Sequence, residues 1–157
     1  MAKKILLAVD ESENSSKAVA FVAESMPADS LVTILSVVPE PAAACGLDSP
    51  SLVPVFKEHQ AAFCSVEDSK RAALKSFAEG AKRRLVAAGF AEEAVSVNLK
   101  KKERGVARDI LAEAKKGSYD VIVVGRRGLS GIQEFFLGSV SNKVSQMATE
   151  RTVIVVD

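Results

Sequence analysis

Gly125, Gly128 and Gly138, followed at once by Ser139 and then by Ser141, are the residues whose types and spacing suit anion chemistry. An apolar run, Val121-Ile122-Val123-Val124, leads into them, and a helical pattern with Val140, Val144 and Met147 on one face leaves them. A strand that ends in glycine and hands its loop to a helix start is how an α/β protein builds a phosphate cradle. The glycines let backbone N–H groups approach an anion, and the unpaired amides and dipole of the first helical turn face it. Ser139 and Ser141 add hydroxyl donors, and the Arg126 guanidinium is of a type that also suits anions. The spacing is not a Walker A loop, because no Lys follows Gly138. It is not the dinucleotide G-x-G-x-x-G either, because Arg126 and Arg127 separate the first two glycines. The plainer alternative is a glycine-rich connection that only turns the chain.

Asp10 is the second candidate. It closes an apolar run, Ile5-Leu6-Leu7-Ala8-Val9, that reads as a buried parallel strand. Open α/β sheets bind ligands at the carboxyl ends of strands where the strand order reverses. If the first strand lies beside the fourth, Asp10 and the glycine loop share one crevice. A carboxylate there accepts from a ribose hydroxyl or holds a metal ion indirectly, and its plainer role is an acidic cap on the first helix.

The elements that must position these groups follow an alternating pattern. After the first strand, Glu11 to Ser15 are turn and cap residues, and a helix runs to about Ser25 with Ala18, Phe21 and Val22 inward, stopped by Pro27. Leu31–Val38 is a second strand. Residues 39–65, with Pro39, Pro41, Pro50, Pro54 and Gly46, read as a loop or insertion. A long helix is expected from about Val66 to Ala88, with Leu74, Phe77, Ala81, Leu85 and Ala88 on its stripe and Gly89 as its cap. Val95, Val97 and Leu99 alternate as an edge strand, and Lys100 to Arg104 read as a solvated face or loop. A helix with Ala107, Ile110, Leu111 and Ala114 inward closes at Gly117. The Val121–Val124 strand, the glycine loop, a Ser139–Thr149 helix and a Thr152–Val156 strand complete the chain. Five strands alternating with four helices predict one domain over 1–157. Its fold is α/β: a doubly wound five-stranded parallel sheet, Rossmann-like, with helices on both faces.

Composition removes several function classes. A net charge of +1 gives no global reason to bind nucleic acid, and 5% aromatics leave little for base stacking. No run approaches the roughly 18 apolar residues of a membrane span, and the start of the chain shows no secretory signal. Two cysteines outside any C-x-x-C pattern are simplest as reduced thiols in a cytoplasmic setting, and a lone His59 leaves too few ligands for a zinc site. No Ser-His-Asp set is present, and Ser139 and Ser141 lack an evident base.

The spacing G-x-x-G-x9-G-S/T, carried here by Gly125, Gly128, Gly138 and Ser139, resembles the nucleotide-binding signature of the universal stress protein family. The resemblance extends from Lys3 to Val156 and implies strand order 3-2-1-4-5. It implies that Asp10 lies near a ribose, that Ala8 and Val37 lie near an adenine, and that Gly125, Gly128, Gly138, Ser139, Val140 and Ser141 hold phosphates. Many members carry a small residue where this chain has Arg126. The resemblance further implies ATP as ligand, with Mg2+ or Mn2+, and a cytoplasmic homodimer acting as a nucleotide-dependent stress or signalling factor. The Thr152–Val156 strand, β-branched and uncharged until Asp157, is the expected pairing edge. Enzymatic turnover is expected to be slow ATP hydrolysis or autophosphorylation at most. The alternatives are a nucleotide-using α/β enzyme and an interaction module with an empty pocket.

Overall fold

The computed structural model describes residues 2–39, 54–127 and 137–157, without the side chains of residues 54–61 and 63. Its elements, in chain order, are β1 (Lys4–Ala8), α1 (Glu13–Ser25), β2 (Leu31–Val38), α2 (Pro54–Ala87), β3 (Val95–Lys101), α3 (Val106–Lys116), β4 (Val121–Gly125), α4 (Ser139–Met147) and β5 (Thr152–Val156). The five strands form one sheet in the order β3-β2-β1-β4-β5, and every neighbouring pair is parallel.

β1 is central because both its faces are apolar. Ile5, Leu7 and Val9 enter one core with Ala18, Val19 and Val22 of α1 and Ala78, Ala81 and Leu85 of α2. Leu6 and Ala8 enter the other with Ala107, Ile110 and Ala114 of α3 and Val144 of α4. Ile5, Leu6 and Leu7 are fully buried, and each contributes on the order of 1.5–3 kcal/mol by burial. Anchoring continues one residue past the strand, where Val9 N–H donates to the Leu35 carbonyl at 2.9 Å. The buried Ser36 hydroxyl donates to the Val9 carbonyl at 3.1 Å. Asp10 therefore leaves a fixed backbone.

Two expectations need correction. The helix expected from about Val66 begins at Pro54, so residues 54–65 of the expected 39–65 loop are helical. Proline lacks the N–H that a first helical turn leaves unpaired and its φ already suits a helix, so Pro54 opens α2 instead of interrupting it. Along α2, Leu74, Ala78, Ala81 and Leu85 are buried while Ala88 beyond its end is exposed, which shifts the inner stripe toward Ala78. The second correction concerns the cysteines. Cys64 is disulfide-bonded, so thiol chemistry no longer argues for a reducing compartment; Cys45 lies outside the described residues. No helix among the described residues is long and apolar enough to cross a membrane.

Candidate nucleotide site

The chain turns outward from the centre of the sheet on both sides, so the strand order reverses between β1 and β4. These strands pair in register from Ile5–Val121 to Ala8–Val124 and end together. Two helices start at this rim, α1 after β1 and α4 after β4, and they are built differently.

α1 satisfies its own start. Ser12 is its N-cap, with φ −78° and ψ 159°, and its hydroxyl accepts from Ser15 N–H at 3.3 Å. Asp10 Oδ1 accepts from Ser12 N–H at 2.9 Å and from the Ser15 hydroxyl at 2.8 Å. Asp10 N–H in turn donates to Ser15 Oγ at 2.9 Å. The cap reading of Asp10 is therefore realised through one carboxylate oxygen. The other, Oδ2, accepts no hydrogen bond from the described residues and is left for a further donor at the half-buried rim.

α4 does not satisfy its own start. Its N-cap is Gly138, no side chain among the described residues caps it, and its first turn carries no acidic residue. The Ser141 hydroxyl, buried, turns back onto the carbonyl oxygens of Arg126 at 2.7 Å and Gly138 at 3.0 Å. Gly138 N–H also donates to the Arg126 carbonyl at 2.8 Å. Ser141 thus ties the two ends of the glycine loop together.

The glycines have separate reasons. A Cβ on Gly125 would lie 2.8 Å from the backbone carbonyl carbon and oxygen of Asn14, so Gly125 is where α1 packs directly on the end of β4. That contact draws the two helix starts together, and Ser12 Oγ comes to 3.5 Å from the Arg127 carbonyl oxygen. Gly138 has φ −58° and ψ 158°, open to any residue, but a Cβ there would sit 3.1 Å from Arg126 O and Arg127 Cα. Crowding against Arg126 and Arg127, not backbone conformation, favours glycine at 138. Gly128 lies outside the described residues.

Arg126 is engaged. Its guanidinium pairs with Asp157 at 2.6 Å, and its N–H donates to the Val156 carbonyl at 2.6 Å. Ser139 is exposed and Val140 half-buried at the start of α4. Ala8 and Val37 both lie on the sheet face covered by α3 and α4, Ala8 next to Leu35 and Val124 and Val37 two residues farther along β2. The rim therefore brings together Ala8, Asp10, Gly125, Arg126, Gly138 and Ser141. Ser12, Ser15 and Asn14 complete the arrangement; the run of cap-forming residues after Asp10 was the signal for them, although it did not say which partners they would take. Asp157 is the other addition, and nothing in its position at the end of an apolar run pointed to Arg126.

The sequence model of the universal stress protein family matches residues 1–156. The chain belongs to the universal stress protein family. Universal stress protein YxiE of Bacillus subtilis (strain 168) is 53% identical over 49 residues, a segment covering 31% of this chain and 33% of YxiE. Among solved structures, the hypothetical protein MJ0577 superposes with a TM-score of 0.73 at 23% identity, covering 99% of this chain and 96% of that one. A universal stress protein in complex with cAMP gives 0.65 at 21% identity, over 99% and 97%. At3g01520 of Arabidopsis thaliana, a family protein with AMP bound, gives 0.60 at 18% identity, over 98% and 90%. At these identities the structural likeness establishes the universal stress protein fold.

Proposed function

We propose that this universal stress protein binds an adenine nucleotide, ATP in particular, in the crevice between the ends of β1 and β4. The observation that carries the reading is the start of α4, which no side chain among the described residues caps and no acidic residue of its first turn opposes. Free amides and the helix dipole make that turn a phosphate seat. Support comes from the two family structures that hold cAMP and AMP.

In this arrangement the N–H groups of Ser139, Val140 and Ser141 and the glycine loop hold the phosphates. Asp10 accepts from the ribose through Oδ2, and Ala8 and Val37 border the base. Among the described residues no group of three His, Cys, Asp or Glu is placed to hold a metal ion. A Mg2+ or Mn2+ ion would thus be carried by the phosphate oxygens, with Asp10 as the carboxylate of the crevice, and would supply charge neutralisation there. The residues bind and orient the nucleotide, and the reading assigns them no turnover.

The protein acts, in this proposal, as a nucleotide-dependent stress or signalling factor that works as a homodimer through the β5 edge. The cytoplasmic setting of the proposal rests on family membership alone.

Mass spectrometry of the small molecules released on denaturing the gently purified protein, followed by calorimetric titration with ATP, ADP, AMP and cAMP, tests this reading. Adenine nucleotide in the released fraction and a saturable heat with ATP are expected. Neither heat nor a thermal shift with any of the four would leave the empty-pocket module as the reading.

A further inference from the structure

β3 is the edge strand that the proposed homodimer leaves open. It pairs with β2 on one side and has no strand on the other among the described residues. Lys102 N–H donates to the Val38 carbonyl at 2.8 Å. Along a parallel ladder, alternate residues turn both backbone groups to the same neighbour. Asn98, Lys100 and Lys102 therefore bond to β2, and Val97, Leu99 and Lys101 direct their N–H and C=O away from the sheet. Val95 shares that direction, but its N–H is taken by the Glu92 carbonyl of the short 3-10 turn before β3. A row of unpaired backbone groups of this kind is a template for one more strand.

The side chains of β3 give that strand a pattern. Val97 and Leu99, half-buried, pack against the core that α1 and α2 share with the sheet. Directly opposed residues share a face, so an added strand needs apolar, β-branched residues opposite these two. The other face of β3 carries the exposed Ser96, with Asn98 and Lys100 both engaged by Glu113 of α3. Polar residues suit the alternate positions there.

The far end of the edge is cationic. Lys101, Lys102 and Arg104 are exposed, and none of them takes part in an ion pair among the described residues. The turn that carries them is fixed. Besides the Lys102 bond to β2, the buried Asp109 carboxylate accepts from Glu103 N–H at 2.8 Å and from Arg104 N–H at 3.1 Å. Held charge of one sign at the end of an open edge selects an incoming strand by charge as well as by bonding. A second copy of β3 does not supply the opposite charge. Paired antiparallel about a two-fold axis at Val97, it would bring Glu93 toward Lys101. The 3-10 turn at Glu92–Ala94 is not extended, however, and it already uses the Val95 N–H. The ladder therefore stops where Val95 meets Leu99, and the cations stay unmet.

We propose that the open edge of β3 is a docking site for an extended segment of another protein, one that alternates β-branched and polar residues and carries a run of Asp or Glu at one end. The segment adds as a further strand of the sheet, bonded to Val97, Leu99 and Lys101, with its carboxylates against Lys101, Lys102 and Arg104. The surface goes beyond the nucleotide reading and stands whether or not the crevice is occupied.

Two synthetic peptides of opposite sense serve as probes, Thr-Val-Thr-Val-Thr-Glu-Glu-Glu and Glu-Glu-Glu-Thr-Val-Thr-Val-Thr, each beside a control with Gln in place of Glu. One of the acidic peptides should bind the parent protein saturably by fluorescence anisotropy. Its Gln control should bind at least about fivefold more weakly, because each opposed charge pair contributes to strand pairing. In NMR spectra of the parent, the bound peptide should slow solvent exchange of the Val97, Leu99 and Lys101 amides. Asn98 and Lys100, already bonded to β2, should be unchanged. Substitution at one position separates charge from backbone: Lys101→Gln removes a cation, and Lys101→Pro removes the same cation together with an N–H that β2 does not use. With circular dichroism showing that both variants fold, the proline variant should bind at least about fivefold more weakly than the glutamine one, the worth of one hydrogen bond. Failure of both acidic peptides to bind, a Gln control that binds as well, equal binding by the two variants, or exchange that slows without alternation overturns the proposal. So does a parent that associates beyond a dimer until Lys101→Pro is introduced, since a second copy then occupies the edge.

Discussion

α1 and α4 begin at the same rim of the sheet, after neighbouring strands, yet the two starts have opposite chemistry. At α1 the exposed amides are met from within the chain: Ser12 caps, Asp10 accepts from Ser12 and Ser15, and Glu13 adds a negative charge to the first turn. At α4 the cap is a glycine and the Ser141 hydroxyl is turned onto two carbonyl oxygens. α3 stands between them: its cap is a glycine that no side chain bonds, but the buried Asp109 puts an acid in its first turn and binds the loop before it. A helix start met by its own side chains contributes stability. One left unmet forgoes that contribution and keeps a site for an anion. The division between the two starts is a claim about where stability and binding reside, and substitution can separate them.

The largest effect is expected from Gly138→Val. The branched side chain cannot occupy the space beside Arg126 O and Arg127 Cα, 3.1 Å from where its Cβ would lie, without moving that backbone. Nucleotide binding by calorimetry should fall below detection while circular dichroism remains that of the parent. Undiminished ATP binding would show that the phosphates are held elsewhere.

Ser139→Asp gives α4 the kind of start α1 has. An acid in the first turn stabilises a helix by about 0.3–1 kcal/mol, so the melting temperature should rise. The same charge opposes phosphate at close range, so ATP affinity should drop by about tenfold or more. The two responses must differ in sign. If stability and affinity move together, the unmet start is not a binding device.

Much of this arrangement was legible before the coordinates. The continuous apolar run of β1 announced a strand buried on both faces, and the alternation of β3 announced an edge. Both followed because the side-chain pattern reports burial directly. Pro54 was misread because one residue type either stops a helix or opens it, and only the neighbouring turn decides which. Ser141 is legible as a candidate but not in the bonds it makes, since a hydroxyl's partner is set by where the loop returns. The reason for Gly125 was hidden for the same cause: its neighbour, Asn14, is distant in sequence and is brought close only by the packing of α1 on β4. Asp109 carries no signal in the sequence, because the N–H groups it binds belong to a turn whose shape the pattern does not describe.

Asp109 supplies a pH test of a first-turn acid that binds its own chain. Its carboxylate accepts from Glu103 N–H at 2.8 Å and Arg104 N–H at 3.1 Å. Burial alone would raise its pKa, but the backbone N–H groups of Glu103, Arg104 and Gly105, with the Lys100 charge, outweigh it and hold the group below the usual range. A folded-state pKa below the unfolded one means stability that is full above about pH 4 and is lost as pH falls through the lowered value. Asp109→Asn should therefore lower stability at neutral pH by about 1–3 kcal/mol. Its denaturation midpoint should converge on that of the parent in acid, and a gap that persists at the lowest pH would assign the loss to packing.

The smallest effect, and the sharpest check on the division, is expected at Ser12. Its hydroxyl accepts from Ser15 N–H at 3.3 Å as the N-cap of α1. Replacing an N-cap serine by alanine costs about 0.5–2 kcal/mol. The low end of that range is expected here, because Asp10 keeps its bonds from Ser12 N–H and from the Ser15 hydroxyl. The same hydroxyl lies 3.5 Å from the Arg127 carbonyl oxygen, too long and too weak a contact to hold the loop. Ser12→Ala should thus lower the denaturation midpoint while leaving ATP affinity within about twofold of the parent, since none of the amides assigned to the phosphates is touched. Chemical denaturation and titration of the same preparation decide it. An affinity loss without a stability loss would place the α1 start inside the binding site, and the rim would then work as one surface instead of two.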